Sequence, residues 1–120
     1  GNYADISAAK VTKQTMSGYN DGFPATSPVG SFDANSMGLF DMGGNAAEWC
    51  HDIYGIYTYN ATRVDTDPIG PKSGGHHVIR GSSWRHGTIT ALRLTYRDYH
   101  SEARDDVGFR LVRYGPKKAE

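Results

Sequence analysis

A chain of 120 residues suits a single domain with one core. Thirteen Lys and Arg balance thirteen Asp and Glu, and with no basic run among them the charge pattern predicts no nucleic-acid partner and no electrostatic hold on a membrane. The single cysteine, Cys50, excludes an internal disulfide and any two-thiol redox or zinc chemistry within the chain. No apolar run approaches the roughly 20 residues of a spanning helix. No signal peptide is expected within these residues, and the absence of a Met at Gly1 fits a processed or truncated piece whose targeting segment, if any, has been removed. Fifteen glycines and eight tyrosines beside few aliphatic residues predict an α+β domain, loop-rich with low regular secondary structure and pinned by aromatic side chains.

In chain order, Ala4 to Lys10 is expected as a short helix. Thr15 to Pro28 reads as loop, with a turn signal at Asp21-Gly22 and a helix-stopping Pro24, so Asp21 is either a turn former or a ligand. Val29 to Phe32 is at most a short extended segment. Next comes Gly38-Leu39-Phe40-Asp41-Met42-Gly43-Gly44-Asn45, a tight turn bracketed by the carboxylates of Asp41 and Glu48. Gly43 and Gly44 permit positive φ and let carbonyls turn inward, an arrangement that suits a hard cation such as Ca²⁺. The same spacing also suits an ordinary strand-turn-helix, with Ala46 to Ile56 as one or two helical turns. Cys50, beside Trp49, is expected to be a buried packing residue rather than a nucleophile.

Asp65 to Gly75 reads as an irregular connection, and Asn60-Ala61-Thr62 is formally a glycosylation sequon. His76 and His77, as neighbours on a strand, point to opposite faces and cannot share a metal. Val78 to Trp84 is expected as a strand running into a glycine bend. Leu92 to Tyr99 alternates as a strand, with Leu92, Leu94 and Tyr96 on one face. Val107 to Arg113 closes the sheet, and residues 115–120 form a disordered tail. Arg80, Arg93, Arg97 and Arg110 recur in otherwise apolar strands. At least two of them are therefore expected to be substantially buried and paired with carboxylates or carbonyls, Asp98, Asp105 and Asp106 being candidates.

Three blocks together resemble the sulfatase-modifying factor family, the formylglycine-generating enzyme domain also found in ergothioneine-type sulfoxide synthases. They are Gly38 to Met42 with Gly44-Asn45 and Glu48-Trp49, then Arg80-Gly81-Ser82-Ser83-Trp84, then Arg93 to Arg97 with Gly108-Phe109-Arg110. The resemblance implies a C-type-lectin-like mixed fold and a chain whose residues 1–114 are the C-terminal part of the usual domain. It also implies calcium at two places. Asn2 and Asp21 would give side-chain oxygens, and Tyr3 and Phe23 carbonyls, to one ion. Asp41 and Glu48, with the carbonyls of Gly44 and Ala46, would hold the other. Ala47 departs from the family, where a tryptophan is common, without removing an oxygen. Calcium would favour a secreted or periplasmic location.

Relatives that make formylglycine use a copper-binding cysteine pair a few residues past the position of Trp84. The corresponding segment here, Arg85 to Ala91, has no cysteine, and His86 alone cannot replace a thiolate pair for soft Cu(I). The resemblance places a substrate or partner cleft at Ser83, Trp84, Arg85, His86, Arg93 and Arg97. Two functions follow. One is a calcium-stabilised, non-catalytic module whose partner is a peptide or protein, the N-terminal part of the same domain included. The other is part of a non-haem iron or copper oxidoreductase whose metal ligands lie outside this chain.

Overall fold

Ala47–Ile53 forms strand β1, not a helix. The reason lies just before it, where Gly44 and Asn45 both take left-handed backbone, with φ of 85° and 62°. Asn45 does not cap a helix: its side chain accepts from the Ser27 N–H at 3.0 Å and donates back to the Ser27 carbonyl at 3.1 Å. Freed from a helical start, a segment containing Trp49, Cys50 and Ile53 goes where a half-buried pleated surface suits it. The computed structural model describes residues 1–56, 62, 64, 66 and 68–113. Asn60 and Ala61 of the sequon, Asp65 and Asp67 of the long connection, and the tail lie outside them.

β2 (His77–Arg80), β3 (Asp98–His100) and β4 (Val107–Gly108) complete one mixed sheet in the order β3-β2-β1-β4. β1 pairs antiparallel with β2, Glu48 opposite Arg80 and Trp49 opposite Ile79, and parallel with β4, Glu48 opposite Gly108. Expected strand Val78 to Trp84 is present as β2 with a bend at Gly81, whose φ is 95°. The expected N-terminal helix shrinks to a 3-10 turn at Ile6–Ala8, capped by Asp5, and the closing strand shrinks to two residues.

Leu92 to Tyr99 is corrected more deeply. The Thr88 hydroxyl caps a single helical turn, α1 (Ile89–Leu92), by accepting from the Ala91 N–H at 3.3 Å. A turn follows, closed by Tyr96 N–H on the Arg93 carbonyl, and only Asp98–His100 extends. Alternation misled here because Leu94, read as core-facing, is 93% exposed.

The core is small. Among the described residues, buried Ala4, Ala8, Ala47, Val78, Ile79, Trp84 and Ala91 are matched in number by buried Asn2, Asp5, Ser27, Asn45, Ser82, Ser83 and Asp106. Hydrogen bonds therefore specify this interior as much as apolar contact does. The segment Asn2 to Ala4 threads through it. The Asn2 carbonyl accepts from Asn45 N–H at 2.7 Å, Ala4 N–H donates to the His86 carbonyl at 3.1 Å, and Gly44 N–H donates to the Gly81 carbonyl at 2.8 Å.

A Cβ on Gly44 would strike the Asn2 backbone carbonyl. Gly38, with a φ of 76°, has nothing within 4 Å of the same added atom. Gly38→Ala should therefore cost only the left-handed strain of about 1–2 kcal/mol, and Gly44→Ala clearly more. Denaturant midpoints of the two variants check this, and equal losses would mean that the Asn2 segment does not pack there.

Arg80, Arg93, Arg97 and Arg110 pair with carbonyls and with Glu48, while the candidate aspartates are taken up by Arg104 and Arg85. Asp98 and Asp106 pair with Arg104, at 2.7 and 2.9 Å, and Asp105 pairs with Arg85 at 2.5 Å. Arg104 reaches its partners from the adjoining loop, so a short span of chain supplies the charge that the strands were expected to provide. Half-buried Arg80 donates to the Leu94 carbonyl at 2.5 Å, half-buried Arg97 to that of Gly55 at 3.2 Å, and exposed Arg93 to that of Thr90 at 3.4 Å. Arg110 pairs with Glu48.

Candidate functional site

Asn2, Tyr3, Asp21 and Phe23 lie together. Asp21 accepts from the Tyr3 N–H at 3.0 Å through one oxygen and from the Phe23 N–H at 2.9 Å through the other. Asn2 donates its amide N–H to the Ala25 carbonyl at 2.6 Å, which fixes the amide and leaves Oδ1 buried without a hydrogen-bond partner among the described residues. A carboxylate oxygen that accepts one N–H still has a lone pair to offer. An orphaned amide oxygen beside a carboxylate is a hard-oxygen set, and it fits a Ca²⁺ ion. Asp5, not singled out from sequence, supports the set. Fully buried, it accepts from Ser7 N–H and Ser7 hydroxyl and from the Asp21 N–H, and these bonds outweigh its burial and hold its pKa below the ordinary value. The Asp-x-Ser spacing of a capped turn was its only sequence signal.

The second set is different. Both Glu48 oxygens accept from Arg110, one of them at 2.7 Å, and the same guanidinium donates to the carbonyls of Phe40 at 3.1 Å and Asp41 at 3.3 Å. Asp41, at a φ of 51°, accepts from the Gly30 N–H at 2.8 Å through one oxygen and keeps the other buried and without a hydrogen-bond partner among the described residues. Gly44 and Ala46 lie in the same turn, but the positive charge at Glu48 is already a guanidinium, so this carboxylate does not fit an ion as placed. Among the described residues no three His, Cys, Asp or Glu side chains converge as a metal cluster.

The six residues expected to form one cleft fall in three places. Ser83, Trp84 and His86 belong to a packed network. The Ser83 hydroxyl donates to Asp106 at 2.9 Å, its N–H donates to His86 Nδ1 at 2.9 Å, and Arg104 grips both Asp106 oxygens. Ser, His and Asp in contact invite a nucleophilic reading. Ser83 is fully buried, however, and Asp106 bonds the serine and not the imidazole, so the order needed for a relay is absent. Arg85 lies over the Trp84 ring at 4.7 Å. Arg97 lies over Tyr54, which stacks on Tyr99. Arg93 lines a separate cavity described below.

Burial pushes the His86 pKa below its ordinary 6.5, against the opposing charges of Asp106 and Asp98. The unfolded chain then takes up the proton first as pH falls. Stability from neutral His86 is fully present above about pH 6.5 and is lost as pH drops through the lower folded value. Urea unfolding at a series of pH values should show this slope, and His86→Gln should flatten it. An unchanged slope would place the titration elsewhere.

A cavity of about 560 Å³ opens between β1 and the turn after α1, walled by Trp49, Leu92, Leu94 and Val112, with Cys50, Arg80 and Arg93 on its lining. Cys50 is half-buried, and burial followed by the charge of Asp52 pushes its thiol up, away from the reactive thiolate.

Residues 2–114 match the sulfatase-modifying factor enzyme 1-like domain family. Over 61 residues the chain is 41% identical to the serine/threonine-protein kinase Pkn1 of Chlamydia trachomatis, covering 50% of this chain and 10% of that protein. Over 64 residues it is 42% identical to the formylglycine-generating enzyme of Streptomyces coelicolor, covering 53% of this chain and 20% of the enzyme. Among solved structures, Treponema denticola variable protein 1 superposes with a TM-score of 0.63 at 29% identity, over 90% of this chain and 38% of that one. The chain thus spans only a small part of the curated relatives it matches.

Proposed function

Since the chain belongs to the sulfatase-modifying factor enzyme 1-like domain family, we propose that it is a calcium-stabilised module of C-type-lectin-like fold. In this reading it binds a peptide or protein segment and makes no formylglycine of its own. The carrying observation is the segment after Trp84. Arg85 to Ala91 holds one imidazole, whose Nδ1 already accepts from Ser83, and no thiol. Copper held by two sulfurs does not fit there, and the lone Cys50 is half-buried on β1.

Calcium fits the first oxygen set only. Asn2 and Asp21 side chains with the Tyr3 and Phe23 carbonyls would hold the ion. A bound ion would add positive charge that ties the N-terminal segment to the loop at Asp21. The chain's own residues do the rest of the positioning: Ala25 orients the Asn2 amide, and the Tyr3 and Phe23 N–H groups orient Asp21.

Incubation with Cu(I) and a Cys-x-Pro-x-Arg peptide tests the missing chemistry. Mass spectrometry should find the peptide thiol unchanged. Aldehyde formation that persists in Cys50→Ser would contradict the reading.

A further inference from the structure

Arginines in this chain divide by partner. Arg85, Arg104 and Arg110 each hold a carboxylate. Among the described residues, Arg80 and Arg93 each hold only a backbone carbonyl, of Leu94 and Thr90, and both line the cavity beside Trp49. Glu48, the carboxylate on that lining, is taken up at both oxygens by Arg110. Among the described residues the cavity lining therefore carries two guanidinium charges with no acid to balance them, next to apolar walls that include Leu94 at 93% exposure and Val112 at 75%.

We propose that this cavity binds an acidic peptide, taking a side-chain carboxylate between Arg80 and Arg93 and a neighbouring apolar side chain against Trp49, Leu92 and Val112. Each guanidinium uses one N–H on its carbonyl and keeps others in fork geometry, which matches a carboxylate through two parallel bonds. Trp49 and the leucines add the flat apolar area on which an extended peptide gains affinity. Charge complementarity selects the occupant. A basic peptide meets two like charges, and a neutral one leaves two guanidinium groups half-desolvated without an anion.

This inference rests on the peptide-binding reading above, and one titration separates the two. A fluorescein-labelled peptide alternating Leu with Glu is followed by anisotropy against the 120-residue chain, beside its Leu-Gln analogue and a phosphoserine analogue. The acidic peptide should bind at least tenfold more tightly than the Gln analogue. Arg93→Gln, an exposed position that leaves the fold unloaded, should weaken it at least tenfold. Arg80→Gln should do the same wherever circular dichroism shows it folded, and exposed Lys10→Gln should leave binding unchanged. Equal binding of the Glu and Gln peptides, unaltered binding by Arg93→Gln, or preference for phosphoserine would overturn the carboxylate site while leaving peptide binding standing. No binding of any peptide would overturn both.

Discussion

Asp106→Ala should cost about 3–5 kcal/mol of folding free energy, the usual loss when one member of a buried charge pair is removed. The Asp106 side chain is 3% exposed and that of Arg104 is 26% exposed. Burial alone would raise the Asp106 pKa, yet the bonds from Arg104 and Ser83 reverse the shift and hold it below the ordinary 3.8. Alanine removes the acceptor for both and leaves the guanidinium with Asp98 alone. The Asp106 carbonyl accepts from the Ala47 N–H at 3.0 Å, so a shift there reaches the start of β1. With typical stabilities of about 5–15 kcal/mol, such a variant is at the edge of folding. Asp106→Asn, which can still accept from Ser83, should lose less. Denaturant midpoints decide it, and an alanine variant within about 1 kcal/mol of wild type would contradict the role given to the network.

Calcium removal should be the second large effect. A ligand that binds only the folded chain stabilises it by about 2.7 kcal/mol at 100 times its dissociation constant. For a domain of this size that corresponds to a fall of roughly 10–20 °C in Tm in excess chelator. Asp21→Ala should abolish the response. Glu48→Ala should leave it in place, because that carboxylate serves Arg110. A Glu48→Ala variant that loses the calcium response while Asp21→Ala keeps it would reverse the assignment of the ion between the two sets.

The family and the loop-rich mixed sheet were legible in the sequence because they rest on turn residues with strict backbone demands. Gly44, Gly81 and Asn45 all take positive φ, and the Arg80 to Trp84 block carries the bend it announced. What was not legible depends on contacts between distant segments. Nothing local says that Asn45 will spend its side chain on Ser27, and without that the residues after it read as a helix. Alternation over Leu92 to Tyr99 was equally blind to the Thr88 cap. The site divided in the same way. Asp21 accepts from the Tyr3 N–H next to Asn2, while the six cleft residues separate because Ser83 turns inward to Asp106 and His86 accepts from Ser83. The charges of Arg80 and Arg93 stand out only once Glu48, the carboxylate beside them, has been matched to Arg110.

The most direct measurement is calorimetric titration of Ca²⁺ into metal-free protein, wild type beside Asn2→Ala and Asp21→Ala. One ion per chain is expected in the wild type, with a matching rise in Tm, and no binding in either variant. Two ions per chain, or binding that survives Asp21→Ala, would contradict the single oxygen set on which the module is built, and no ion at all would contradict its calcium stabilisation.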